Sequence, residues 1–341
     1  MCTYYTPLIS GGKKGYLSPF QSFCCCSGSG MENHVKYGDF IYSEGSDSSL
    51  FVNLFIPSRL TWTARDLVVT QDTDIPSSNK TVLTVKTEIP QSVIFRLRYP
   101  EWAESMSLKV NGKSVSLKAS GNNYVSIERE WKDNDKLEIT FGIKFYTVAM
   151  PDNEKRVGLF YGPVLLAGEL GQEEPDMEKD IPVLVNNNKP VSEWLKKVSD
   201  SPLRFETKGV GEPKDVSLIP FYAMHHQHYV VYWDLFTTEE WKDMQEAYKN
   251  ELKRLQDLDK LTVDYVVLGE MQPERDHNLR GKDIGTGISH RKKWRAAWIG
   301  GWFEFEMKVL PDVPQDLRVT YWGDETAHLE FDIYVDGKVL A

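Results

Sequence analysis

The chain has 341 residues, 41% hydrophobic and 12% aromatic, which describes a globular protein long enough for two or three domains. Fifty acidic against forty basic side chains leave a net charge of −10, arguing against a nucleic-acid backbone or an anionic membrane as partner. No apolar run approaches the ~20 residues that span a bilayer, and Met1–Pro7 lacks the charged-then-apolar pattern of a secretory signal.

Residues 1–45 predict two short extended pieces and a helix from Gly28 to Gly38, with Ser29 as cap and Met31, Val35 and Ile41 on one side. One helix closes no core, so this segment leans on the next domain or on sequence outside the chain. From 46 to 170 the hydrophobic period becomes two. Strands are expected at 50–56, 80–87, 92–99, 106–110, 124–128, 136–141 and 157–167, with Asn111-Gly112 as a hairpin turn. That pattern predicts an antiparallel β-sandwich.

Residues 171–260 predict a polar linker, a short helix near 191–198 and a strand over 218–234 carrying Tyr229, Tyr232 and Trp233. A helix over 238–256 follows, capped by Thr237 or Thr238. Its Trp241, Met244, Tyr248, Leu252 and Leu255 recur at three- and four-residue spacing. A second sandwich-like module is expected over 261–341, with strands at 262–268, 293–309, 317–322 and 329–335. Its stop just after Asp336-Gly337 suggests truncation. The predicted fold is mainly β: two sandwich-like modules joined by a small α+β segment and preceded by a remnant of an α/α barrel.

All four cysteines, Cys2, Cys24, Cys25 and Cys26, lie in the first 26 residues, which excludes a disulfide-stapled scaffold. Three thiols in a row serve metal binding or nucleophilic chemistry, or else pack as small hydrophobes. The run His225-His226-x-His228 has no carboxylate or cysteine at ligand spacing, so a structural role is expected over a metal. Trp294, Trp298, Trp302, Tyr321 and Trp322 are expected in a core rather than on a sugar-stacking platform. Glu270–His277 mixes carboxylates and histidine in an expected loop, either a calcium or sugar site or a solvated turn.

The stretch Cys25-Cys26-Ser27-Gly28-Ser29-Gly30-Met31-Glu32-Asn33-His34-Val35-Lys36-Tyr37-Gly38 resembles the double-cysteine segment of the β-L-arabinofuranosidase group, glycoside hydrolase families 127 and 146. Tyr4-Tyr5-Thr6-Pro7-Leu8, Tyr161–Gly168, Tyr229–Trp233 and Gly300–Phe303 are similar to further parts of that group and its larger bacterial members. Anchored on Gly30-Met31-Glu32, the resemblance implies that Cys25 is the nucleophile and a zinc ligand and Cys26 a second ligand, with Cys24 the one-residue alternative.

It also implies a retaining glycosidase acting on plant arabinose-containing glycans, zinc as cofactor, and an N-terminal (α/α)6 barrel as missing partner. The family's acid/base lies upstream of the cysteine pair, so this chain contains none. Glu32 does not occupy that position, and the chain alone is expected to be inactive. His34, near the cysteines, either lines the sugar subsite or packs the helix. Related bacterial enzymes are commonly exported, which favours a periplasmic or extracellular location. The alternatives are a non-catalytic carbohydrate-binding or scaffolding β-sandwich protein and a thiol-redox or zinc-storage module.

Overall fold

A computed structural model describes residues 3, 6–18, 20, 25–119, 121–177, 179–198, 203–289, 292–321, 323 and 330–340. Sheets dominate it, and the described helices are few. None is long and apolar enough to cross a membrane. The chain divides into a unit of residues 1–245 and one of residues 246–341.

In the first unit, helix α1 (Cys25–Ile41) reaches ahead of the expected Gly28 and so includes Cys25 and Cys26. Ser29 is therefore inside the helix and not its cap. The expected packed side is also bare: Met31 is 68% and Val35 78% exposed, and only Ile41 at the end is buried. Ile41 is held because its carbonyl accepts from the Asn53 N–H at 2.9 Å, which starts the first sandwich.

That sandwich has two sheets. One orders Lys118–Ala119, Tyr124–Trp131, Gln91–Arg98, Leu50–Val52 and Tyr42–Glu44. The other orders Ser58–Trp62, Leu67–Thr73, Lys80–Thr87, Lys136–Ile143, Ala103–Val110 and Lys113–Val115. Alternate residues of both point into one core, as period two requires: Leu83, Val85 and Leu137 face Phe95 and Leu97. Trp131 stacks on Phe95 at 4.4 Å and gives its indole N–H to the Val93 carbonyl, so its polar atom is satisfied in the core. At the Asn111-Gly112 turn both residues have positive φ, 52° and 77°, as a tight hairpin demands.

Strands Phe145–Met150, Asn153–Tyr161 and Val164–Gly171 pair onward, into an eleven-stranded sheet with Val183–Val185, Ser217–Pro220, His228–Val230 and Tyr232–Phe236. The expected single strand 218–234 is broken by a 3-10 turn at Phe221–Ala223 and by the loop before His228. Likewise the expected helix 191–198 is one turn, α2 (Val191–Trp194), followed by strand Leu195–Lys197. Trp233, Tyr229 and Phe205 are fully buried, and Gly168 lies against the Trp233 indole.

Helix α3 (Thr238–Leu261) opens with a reciprocal cap. The Thr237 N–H donates to Glu240 Oε2 at 2.9 Å and the Glu240 N–H to Thr237 Oγ1 at 3.2 Å, which makes Thr237 the cap. Hydrogen bonds from Lys155 and the Thr237 N–H hold the Glu240 carboxyl at a pKa of about 2. The periodic stripe Met244, Tyr248, Leu252 and Leu255 stays exposed.

The second unit holds a long hairpin, Arg280–Ser289 with Lys292–Glu304, and a short one, Tyr334–Val335 with Lys338–Val339. The expected strands at 262–268 and 317–321 are irregular, and Trp322 lies outside the described residues. Asp264 shows why the first fails. Its carboxylate accepts from the Lys308 N–H and contacts His277, so this segment serves a loop rather than a ladder.

A Cβ on Gly168 would lie 2.7–2.8 Å from the Trp233 ring and the Val230 side chain, none of which has room to yield. Gly168→Ala is expected to cost about 1–3 kcal/mol, read as a lower urea midpoint for the first unit; an unchanged midpoint would show that the sheet opens there freely.

Candidate functional site

Helix α1 carries Cys25 and Cys26 on adjacent positions. Both side chains are exposed, and their Sγ atoms are 3.9 Å apart. Two thiolates bound to one tetrahedral zinc at ~2.3 Å would be ~3.8 Å apart, so this pair fits two positions of such a site. Among the described residues no group of three or more His, Cys, Asp or Glu completes it. Cys2 and Cys24 lie outside the described residues.

The other residues of this helix do not gather round the thiols. Glu32 is seven residues on, so on the same side but ~10 Å along the axis from Cys25. His34 is nine residues on, ~13 Å along the axis and half a turn round. It meets Tyr37 edge-on at 5.4 Å.

The histidine run is spent on structure at one end. His228 Nδ1 hydrogen-bonds the Gly11 carbonyl at 2.8 Å, and its strand pairs with Gly12–Lys13. His225 shares a hydrogen bond with the Tyr16 hydroxyl. These contacts replace the metal reading with packing contacts for His228, and no described carboxylate or cysteine joins the three rings.

In the second unit, the expected loop at Glu270–His277 is a short helix, α4 (Met271–Asp276). Glu274 is buried against Arg295, with side chains 4% and 9% exposed. Arg295 Nη2 donates to one carboxylate oxygen at 2.5 Å, and the Gly269 N–H to the other at 2.8 Å. Burial alone would raise the Glu274 pKa; the Arg295 and Gly269 donors outweigh it and hold it below the usual range. Among the described residues the carboxylates of this segment do not gather into a metal-binding group of three. An open depression of about 860 Å³ lies alongside, lined by Met271, Arg275, Leu279, Thr286 and Arg295 among others.

The aromatic residues of the long hairpin are not a core. Trp298 is 60% exposed, and Trp302 and Tyr321 are also exposed. Trp294 and Trp298 lie on Gly287 and Gly285, where a Cβ would come within 2.6 and 3.1 Å of the indoles. The sequence reading missed the Glu274–Arg295 pair, since nothing in a run of mixed charges marks which carboxylate is buried.

Residues 1–39 match the model of the GH127 β-L-arabinofuranosidase catalytic domain, and residues 49–143 that of the GH127 middle domain. These two stretches therefore share domain homology with that family. Residues 176–235 and 257–341 match a domain and a family (DUF6805) of unknown function. No curated protein matches the chain.

Among solved structures, a GH127 β-L-arabinofuranosidase from Geobacillus stearothermophilus T6 is 21% identical over 62% of this chain and 37% of its own, with a TM-score of 0.49. A glycoside hydrolase is 19% identical over 66% of this chain and 41% of its own, with a TM-score of 0.48. A GH127 β-arabinofuranosidase is 22% identical over 57% and 36%, with a TM-score of 0.46. The chain thus spans between 36 and 41% of the length of these structures.

The Pro273 carbonyl, and then Asp264, hold the His277 pKa above its usual value. A raised histidine stabilises fully below its unfolded value of about 6.5, and that stabilisation is lost as pH rises through the folded value. The urea midpoint of the second unit is therefore expected to fall as pH rises from about 6 to about 8. His277→Gln should flatten that slope, and an unaltered slope would assign it to another group.

Proposed function

We propose that this chain is the C-terminal portion of a retaining, zinc-dependent glycoside hydrolase of the β-L-arabinofuranosidase kind. Residues 1–45 form the last edge of its catalytic barrel, and the sandwich of residues 46–143, the eleven-stranded sheet and the second unit are accessory. One observation carries the reading. In the stretch that matches the catalytic-domain model, two exposed thiols sit 3.9 Å apart on a helix whose Met31 and Val35 side chains are uncovered.

In this reading Cys25 and Cys26 hold zinc, which when bound keeps thiols ionised at neutral pH. Cys25 Sγ attacks the anomeric carbon of a furanoside. The C–S bond forms as the glycosidic C–O bond breaks, and the departing oxygen takes a proton from an acid in the upstream part of the protein. Water then attacks the same carbon, gives its proton to that group, and releases the cysteine with net retention. Helix α1 contributes orientation: its backbone fixes both sulfurs on adjacent positions. His34 enters only as a contact several ångströms beyond the reacting sugar. The substrate class is plant arabinose-containing glycan, and the protein works in the periplasm or outside the cell.

The test uses the protein extended upstream in its reading frame, with an aryl β-L-arabinofuranoside as substrate. The extended protein should turn over and this chain alone should not. Cys25→Ser should lower kcat by about 10³-fold, or ~4 kcal/mol, and Cys26→Ser should lower bound zinc. Turnover by this chain alone, or an unchanged kcat in Cys25→Ser, would end the proposal.

A further inference from the structure

Two stretches of this acidic sequence contain no Asp or Glu: residues 1–31 and residues 216–233, in a chain with 50 acidic residues among 341. The fold lays them against each other. The pairings Gly12↔Tyr229 and Lys13↔His228 bring Lys14 and Tyr16 onto the loop between Phe221 and His228. Lys14 Nζ donates to the Phe221 carbonyl at 2.5 Å and lies 4.4 Å from the centre of that ring. The Tyr16 hydroxyl and His225 Nδ1 are 2.5 Å apart.

The His226 ring is 5.0 Å from that of Tyr16 and 6.2 Å from that of His225. His226 has φ of 58°, a left-handed conformation that few non-glycine residues adopt. Both imidazoles are exposed, and Tyr222 in the same loop is 60% exposed. The Glu169 carboxylate, which Gln227 touches, is already paired with Arg204.

We propose that Lys14, Tyr16, His225 and His226 form a binding site for a carboxylated sugar, a uronate unit of a glycan. The chemistry divides in two. A lysine fixed by a neutral carbonyl, with imidazole edges beside it and no carboxylate in either touching stretch, offers an anion charge and donors at one place on a molecule of net charge −10. The Tyr16 and Tyr222 rings offer apolar faces for a sugar ring. The sugar half of the assignment rests on the glycosidase reading; the anion half does not.

Proton linkage follows from the same geometry. Burial, and then Lys14 and His226, hold the His225 pKa below its usual value. The groups beside it are Lys14 and Tyr16 from the first stretch and His226 on its own loop, with the chain's N-terminal amine adding a further positive charge. An anion placed among them would favour the imidazolium, so the anion and a proton bind together and affinity rises as pH falls towards about 5.

The test is calorimetry and histidine NMR titration of this chain with digalacturonate, inorganic phosphate and neutral arabinobiose. Digalacturonate should bind at least about tenfold more tightly than either of the others and raise the His225 pKa. Lys14→Met, which keeps the stem on Phe221, and His226→Asn, which tolerates the left-handed backbone, should each weaken binding severalfold. Equal affinity for arabinobiose, equal affinity for phosphate, or no binding of digalacturonate would each overturn the proposal. No arm needs turnover, so digalacturonate binding beside an inactive extended protein would sink the glycosidase reading alone.

Discussion

The organisation of the first unit depends on a two-residue strand. Gly12 and Lys13 pair with Tyr229 and His228, and the fully buried Tyr229 donates its hydroxyl to the Pro7 carbonyl at 2.6 Å. Few backbone bonds are involved, yet each is shielded from water and therefore expensive to leave unmade. Gly11 and Gly12 permit the approach. Gly11 has φ of 75°, and a Cβ there would meet Met177 at 2.8 Å, while one on Gly12 would meet the Ile9 carbonyl at 2.9 Å. The segment before the cysteine helix is thereby tied to the eleven-stranded sheet, and Ile41 at the helix end to the first sandwich. Helix α1 is held at its C-terminal end, where Ile41 is buried.

Such anchoring explains how a 17-residue helix keeps Met31, Val35 and Phe40 in water. Their transfer free energy is not recovered within the described residues, so helix α1 is positioned by its C-terminal end and not by burial of this side. In the proposed parent protein, the barrel would cover this side and supply the proton donor that the thiols lack. The cluster of Lys14, Tyr16 and His225 belongs to the same tie, since the pairing that fixes the segment also brings these groups together.

The second unit follows a different economy. Among its described residues Glu274 is the buried one, and it lies against Arg295. A desolvated pair of this kind adds little net stability but strongly penalises any arrangement that separates it, so it specifies how α4 meets the hairpin more than how firmly. Trp294 and Trp298, laid flat on glycines, extend the same hairpin without enclosing it.

Local signals were sufficient wherever neighbours along the chain decide the outcome. Alternation across residues 80–99 and 124–141 required strands, Asn111-Gly112 required a hairpin, and Thr237 three residues before Glu240 marked a helix start, because each depends on dihedral preference or a short-range hydrogen bond. Partner choice was not visible. Only tertiary structure sent strands 145–171 into the later sheet, broke 218–234 at Phe221, left the Met31 side of α1 bare, and chose Glu274 over its neighbours for burial against Arg295. Those outcomes turn on surfaces brought together from more than ten residues apart, where loop entropy and desolvation compete and no local pattern records the winner.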